Sequence, residues 1–396
     1  MQIRTTPLLS PTIGTHRELV SFHFGTPGIG TPGIGTPGAG RPASGVSDSD
    51  APAVAQKIYL QAALHADETP AMLTAFLLKR RLAELEAAGA LAAEIVLVPV
   101  ANPVGLNHHV LGQFIGRFDL ASGRNFNRGF LPLAPLAERI GEQLGSDPAR
   151  NLAIVRACVG AALDDTVPRT EFDSLQLALL KRSFDADVVI DLHCSLEAVM
   201  HVYTSETAWP AIEPLARYLG AQASLLANDS GGHAFDDAHH LLWSALRRRL
   251  PAGKPVPDGA LAVTVECRGQ RDVTYACAQR DADALIDYLV WRGAIRGEPA
   301  PLPPLRAPAT PLAGSEQFYA PVSGVLVHRA EVGATIRAGD PLFDIVDPLT
   351  DCITTVSSRT DGVFYMRRAI RFVTAGAPLG RVTGVVPVRS GMLLGA

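Results

Sequence analysis

Cysteine is scarce in this chain, with five residues (Cys158, Cys194, Cys267, Cys277 and Cys352) among 396. They are too few and too scattered for a disulfide scaffold, so a reducing, cytoplasmic setting is the expectation. A basic excess is lacking as well. The chain carries 35 Lys and Arg against 39 Asp and Glu, a net charge of −4, which is not the electrostatic footprint of a nucleic-acid binder. No apolar run reaches the ~18–20 residues a membrane-spanning helix needs. The longest candidate, Ala87–Leu106, is broken by Glu94 and by two prolines. The opening residues MQIRTTPLLSPTIGTH contain no apolar stretch of the kind a secretory signal requires. There is no Walker A pattern, and GTPGIGTPG has the wrong spacing for a dinucleotide fingerprint. Neither nucleic acid nor membrane is an expected partner.

What the sequence does contain is enough apolar material, 47% of 396 residues, for two or three domains at ~100–200 residues each. The stretch from Gly25 to Gly40 repeats Gly-Thr-Pro-Gly-Ile/Ala. With its polar continuation to Pro52 it can bury almost nothing, so 25–52 is expected to be a disordered insertion. From Lys57 the texture changes. KIYLQAAL, EIVLVPV (94–100), ADVVIDL (186–192) and LAVTVE (261–266) are short β-branched runs without polar alternation, as strands covered on both faces require. Between them lie helical segments. Thr69-Pro70 marks the start of one that runs to about Ala88 with Leu73, Phe76, Leu77 and Leu85 at near-helical spacing, and Ser174–Arg182 and Trp209–Leu219 are others. The expected fold is α/β, filling residues 1–296.

Six prolines between Gly297 and Gly314 indicate a stiff linker. Beyond it, over 315–396, the chain repeats itself. Ser323-Gly-Val-Leu runs to Ala338-Gly-Asp-Pro-Leu, and Asp361-Gly-Val-Phe runs to Ala375-Gly-Ala-Pro-Leu. Short strands with glycine turns in two copies suggest an all-β, barrel-like domain. This resembles the biotinyl/lipoyl carriers, but residues 310–396 contain no lysine to carry such a cofactor. A pocket-covering or interaction role is expected instead.

The strongest chemical signal is Leu64-His65-Ala66-Asp67-Glu68. His65 falls where a strand ends and Glu68 where a helix begins, so an imidazole and a carboxylate can converge on one ion. His193, in VVIDLHCS, ends another expected strand. Two histidines and a carboxylate leave the fourth position of a tetrahedral Zn²⁺ open, the arrangement of a catalytic site. The same chain offers Asn127-Arg128 as a carboxylate fork, Arg117 as a positive group for an oxyanion, and Glu266 as general base and proton donor.

Together, LHADE (64–68), VPVANPVGLN (98–107), GRFDL with NFNR (116–128), DLHCSLEAVMHVY (191–203) and VTVEC (263–267) resemble the succinylglutamate desuccinylase/aspartoacylase branch of the zinc carboxypeptidase-like hydrolases. The resemblance implies a mixed sheet flanked by helices, one zinc ion per chain, and hydrolysis of an amide in a small carboxylate-bearing substrate. It matches His65, Glu68 and His193 to the zinc ligands, Glu266 to the catalytic glutamate and Asn127-Arg128 to the carboxylate-binding pair. Arg117 is the looser match, and Arg124 competes with it. Ala66 stands where glycine is usual. A β-rich C-terminal domain that narrows the cleft is also in keeping with this branch, and it favours a deacylase of N-acyl amino acids.

Two rival readings are a metallocarboxypeptidase, separated only by cleft width, and a catalytically silent binding protein, which the complete ligand set argues against. Homo-oligomerisation is left open. Asp191 is expected either to orient His193 or to cap a loop, and Cys194 and Cys267 to be packing residues. His108-His109 and His239-His240 are expected to be solvated loop histidines. The stretch Gly231–Ala238 is a candidate substrate loop, and Glu197, Tyr203, Arg268 and Arg271 are candidate cleft residues.

Overall fold

The computed structural model describes residues 1–26, 56–257 and 259–394, so most of the Gly/Pro repeat lies outside the described residues. Among them no helix is long and apolar enough to cross a membrane. The four β-branched runs become strands of one nine-stranded mixed sheet. At its centre Glu94–Val98, Lys57–Ala62, Val188–Ser195 and Leu261–Gly269 lie side by side and parallel. Antiparallel strands Glu18–Phe24 and Gln2–Pro7 extend one flank. His201–Thr204, antiparallel to Leu261–Gly269, begins the other, followed by Ala223–Leu226 and Thr310–Pro311.

Alternation along these strands explains why their sequences show none. Ile58, Leu60, Ile190, Leu192, Val263 and Val265 enter a core on one face of the sheet. Tyr59, Val96, Val98 and Val189 enter a second core on the other. Both faces are covered by helices, so both residue sets must be apolar. The helix Thr69–Ala87 buries Ala71, Thr74, Ala75, Leu78 and Leu82. The expected face is therefore displaced. Leu73 and Leu77 are only partly buried and Phe76 is 40% exposed, because the small alanines let the backbone approach the sheet closely.

His239 and His240 correct another expectation. They lie buried in the helix Phe235–Arg249 rather than in a solvated loop. His239 bonds through Nδ1 to the Phe235 carbonyl and through Nε2 to Ser183 Oγ.

The proline-rich stretch is fastened to the first sheet rather than free of it: the Ala300 carbonyl accepts the Tyr218 hydroxyl at 2.7 Å, and Thr310–Pro311 is the sheet's last strand. Past it the two sequence copies form a C-terminal β unit whose core holds Phe318, Leu326, Phe343, Ile345, Phe364 and Leu379. The copies interlock. Gly324–His328 pairs with the second copy's short strand Phe372–Val373, and Gly362–Arg367 pairs with the first copy's Thr335–Ile336.

The β unit is also stitched to the α/β part. Glu197–Ala198, just past the strand Val188–Ser195, pairs antiparallel with Gly362–Arg367. Arg367 Nε donates to Glu197 Oε2 at 2.7 Å. Behind this seam Tyr365, fully buried, packs with Val199, Tyr203, Ala223, Leu225, Leu312 and Leu393. Tyr365→Ala is therefore expected to cost about 3–5 kcal/mol, as truncation of a buried aromatic does. Urea unfolding checks this, and a loss below about 1 kcal/mol would mean that the seam is not a packed core.

Candidate active site

The parallel strands Lys57–Ala62, Val188–Ser195 and Leu261–Gly269 end on the same edge of the sheet, where ligands of open α/β sheets gather. The first is followed by Ala63 in the left-handed region (φ 60°) and a turn into the helix at Thr69. That turn carries His65 and Glu68. Across the sheet His193 and Glu266 are register partners, two pairs along from Asp191 and Thr264. Parallel partners share a face, so His193 and Glu266 project together while Cys194 and Cys267 enter the opposite core.

The side chains converge closely. Glu68 Oε1 is 2.9 Å from His65 Nδ1 and 2.8 Å from Arg117 Nη1, and Glu68 Oε2 is 2.8 Å from His193 Nδ1. The Cys194 backbone N–H donates to the same Oε2 at 3.0 Å. With its carboxylate so engaged, Glu68 caps the following helix without a side-chain bond to it.

The far nitrogens of both imidazoles are held by acceptors. His193 Nε2 meets Asp191 Oδ2 and His65 Nε2 meets Asn125 Oδ1, each at 2.8 Å. A carboxylate can only accept, and the Asn125 oxygen also accepts from the Asn127 backbone N–H. Both Nε2 atoms therefore carry the protons and both Nδ1 atoms face Glu68. Asp191 thus orients His193 and is itself steadied by Gln61 Nε2 at 3.0 Å. One ligand atom from each of His65, Glu68 and His193 lies within 4.8 Å of the others. Two imidazoles with anchored outer nitrogens and one buried carboxylate fit a divalent metal ion.

Charge follows the same geometry. Burial alone would raise Glu68, but His65 and His193 outweigh it and hold the carboxyl well below its ordinary value. Burial works against a charged His193, yet Asp191 and Glu68 raise it well above the usual histidine range. His65 is pushed down to about 4 by burial and by the Arg117 guanidinium. Glu266 is pushed up to about 7 by burial and by the negative Glu68, and its Oε2 has no hydrogen-bond partner among the described residues.

These groups open on a cavity of about 420 Å³ lined by His65, Arg117, Asn127, Arg128, His193, Tyr203, Asp236 and Glu266. Asn127 Oδ1 is committed to the Phe235 backbone N–H, which leaves its NH₂ group for a ligand. The stretch Gly231–Ala238 forms part of the wall through Ala234 and Asp236. The C-terminal β unit closes the other side with Gln317, Met366, Arg368, Leu379 and Arg381.

Arg124 is not brought to the site. Its guanidinium carbon lies 4.0 Å from the Phe172 ring centre, and its Nη1 pairs with Asp173 at 2.9 Å. An aromatic face and a carboxylate on the helix Glu171–Ser183 hold it away from the cavity. Glu197 pairs with Arg367 and Arg371, and Arg268 grips Asp281 with both Nη atoms. None of these three, nor Arg271, lines the cavity.

Sequence reasoning missed Asn125, Gln61 and Arg381. Gln61, a polar residue inside an otherwise apolar strand, was the one detectable signal. Ala66 is accommodated in place of glycine because its neighbours are Gly105 and Gly116. A Cβ on Gly116 would sit 2.7 Å from the Ala66 methyl, and one on Gly105 3.0 Å from it.

Comparison with known proteins agrees with this geometry. A family model, the succinylglutamate desuccinylase/aspartoacylase catalytic domain, matches residues 54–290. The chain belongs to this family. Succinylglutamate desuccinylase/aspartoacylase proteins are hydrolytic deacylases and typically depend on a metal. Structural similarity extends past the catalytic domain. A family protein from Shewanella amazonensis is 24% identical, with 97% of this chain and 98% of that chain covered and a TM-score of 0.78. One from Shewanella frigidimarina is 22% identical, with 97% of each chain covered and a TM-score of 0.78. The ectoine utilization protein EutE (DoeB) from Ruegeria pomeroyi is 15% identical, covering 97% and 95%, with a TM-score of 0.60. At these identities the likeness establishes the fold. No curated protein matches the sequence.

Because Asp191 fixes the proton on His193, Asp191→Asn is expected to weaken divalent-metal affinity by about 10–100-fold. Competition with a chromogenic chelator measures it, and unchanged affinity would mean that the carboxylate does not orient the ligand.

Proposed function

We propose that this protein is a zinc-dependent amide hydrolase that removes the acyl group from an N-acyl amino acid or a related small carboxylate. The supporting observation is the convergence of His65, Glu68 and His193 beside a cavity that has Glu266, Asn127 and Arg128 on its wall. In this reading His65, Glu68 and His193 hold one zinc ion, which when bound lowers the pKa of water and polarises the scissile carbonyl. Residues 1–296 form the hydrolase part, 297–314 the connection, and 315–396 a barrel-like unit that narrows the cleft.

Each remaining residue has a task set by its position. Arg128 supplies a planar fork, and Asn127 its free NH₂, to the substrate carboxylate, so the amide is held near the metal-ligand cluster rather than sampling the cavity. Glu266 takes a proton from the attacking water. As the carbon–nitrogen bond breaks, it returns that proton to the leaving amine, giving a carboxylate and a free amino group. Its unpartnered Oε2 is suited to both steps. Arg117 spans Glu68 and the cavity, which places positive charge where the carbonyl oxygen gains negative charge. A volume of about 420 Å³ suits a small acylated amino acid and leaves little room for a peptide chain.

The test is mass-spectrometric detection of products from a mixed panel of N-acyl amino acids and short peptides, with chelator-treated protein alongside. Chelator-sensitive release of an amino acid from N-acyl substrates is expected. Cleavage confined to peptide C-termini would replace this reading with a carboxypeptidase.

Two further outcomes follow from Glu266. Glu266→Gln should lower kcat by about 10²–10⁴-fold with metal content intact. A general base must be ionised, so kcat/KM of the wild type should rise with pH along an acid limb. Burial and Glu68 place its midpoint as high as about 7, and a bound cation moves it lower. An acid limb that persists unchanged in Glu266→Gln would assign the titration to another group.

A further inference from the structure

Asp236 lies in the cavity wall with 8% of its surface exposed, as the second residue of the helix Phe235–Arg249. Its carboxylate accepts the backbone N–H of Asp237. Among the described residues it forms no ion pair. The charged groups around it are engaged elsewhere. Asp237 accepts the Ser230 hydroxyl at 2.6 Å and lies 3.6 Å from His240 Nε2. Arg117 holds Glu68, Arg381 donates to Gln317 at 3.1 Å, and the Arg128 Nη atoms donate to the carbonyls of Asn127 and Leu394. Burial and the negative Asp237 push Asp236 up to about 6, and Asp191 adds to the same field. That is the sign expected of a carboxylate short of positive charge. An acid in the first turn suits the helix dipole, but an exposed acid serves that purpose as well. A buried charge without a counter-charge is costly unless a ligand supplies one.

The carboxylate is also fixed relative to Asn127-Arg128. The Gly129 N–H donates to the Gly232 carbonyl at 2.9 Å and the Phe130 N–H to the His233 carbonyl at 3.0 Å. The Phe235 N–H donates to Asn127 Oδ1 at 2.8 Å. The segment that carries the carboxylate fork is therefore stitched to the segment that carries Asp236. A ligand that meets both must hold an anion and a cation only a few bonds apart, as an amino acid with a basic side chain does.

We propose that Asp236 is a specificity-determining residue that binds the cationic side chain of the substrate's amino acid, while Asn127-Arg128 hold its carboxylate. The substrates are then N-acyl derivatives of basic amino acids. This rests on the deacylase reading for the reaction, but the cation receptor stands apart from it. With the α-amino group acylated, such a substrate carries one negative and one positive charge, and each meets its opposite in the wall. An ammonium satisfies Asp236 as a point charge, and a guanidinium can engage both of its oxygens.

The experiment has a binding arm and a turnover arm, both on the full-length metal-loaded protein. In the binding arm, calorimetry compares lysine with norleucine, ornithine with norvaline, and arginine with norleucine, on wild type, Asp236→Asn and Asp236→Glu. Wild type is expected to prefer at least one basic amino acid over its neutral counterpart by on the order of a hundredfold, as for a desolvated charge pair. Whichever pair carries the preference distinguishes ammonium from guanidinium and sets the side-chain length. Asp236→Asn, which keeps the shape and removes the charge, should lose most of it. Asp236→Glu keeps the charge and should retain part of it. Thermal melting and metal content establish that both variants are folded. Equal or undetectable binding within every pair by wild type overturns the proposal, as does a preference that survives in a folded Asp236→Asn.

In the turnover arm, Nα-acetyllysine, Nα-acetylornithine and Nα-acetylarginine are compared with Nα-acetylnorleucine and Nα-acetylglutamine. The basic-to-neutral ratio of kcat/KM should fall on the order of a hundredfold in Asp236→Asn, mainly through KM. An unchanged ratio counts against Asp236. If wild type cleaves none of these compounds, the deacylase reading fails for them, and the binding arm still decides the receptor.

Discussion

The Glu68 carboxylate organises this protein. It is 2% exposed and receives His65, His193, Arg117 and the Cys194 backbone N–H. A buried carboxylate would cost several kcal/mol if left alone, so the segments that supply these partners are held to one another through it. They come from a turn, a central strand and a loop, with 125 residues separating Glu68 from His193. The turn at 63–68, the left-handed Ala63 and the helix start at Thr69 are all arranged to present this one group. A metal ion held by the same atoms would replace hydrogen bonds with coordination and draw on the same alignment.

Around that centre lies a ring of side chains whose job is orientation. Gln61 holds Asp191, which holds His193, and Asn125 holds His65. The acceptors Asp191 and Asn125 keep a proton on the outer nitrogen of each ring. The ring is built largely on the sheet, where register is fixed by the buried faces on either side, so its geometry is as rigid as the core. The second layer of control comes from the C-terminal unit. Glu197–Ala198 joins its sheet only a few residues after His193, and Tyr365 seals the seam. The cavity is therefore shared between two parts of the chain, with the His65–Glu68–His193 cluster from one and part of the enclosure from the other.

Much of this was legible in the sequence. The four β-branched runs became the parallel centre of the sheet, because a strand buried on both faces must be apolar throughout. The repeated Ser-Gly-Val-Leu and Asp-Gly-Val-Phe stretches indicated a β unit, since glycine turns and short alternating strands permit little else. His65 with Glu68 was readable as a pair, because three residues across a tight turn leave few other arrangements. Arg124 was not readable. It sits three residues from Asn127 in a loop, and only its contacts with Phe172 and Asp173 on a distant helix take it out of the cavity. His239 and His240 misled for a related reason, as hydrogen bonds of His239 to Phe235 and Ser183 and of His240 to the Asn228 carbonyl offset the cost of burying them.

The sequence by itself determined the elements and the identity of the local chemistry: which runs are strands, which residues can ligate, and that a β unit follows a proline-rich stretch. These depend on period, composition and spacing, all of which are short-range. Only the tertiary structure decided which polar residues meet. His193 faces Glu68 because two strands far apart in the chain pair in one register, Asn125 reaches His65 across a loop, and Arg381 enters the cavity from a different sheet. Such meetings are set by the packing of whole faces, and no window along the chain contains both partners.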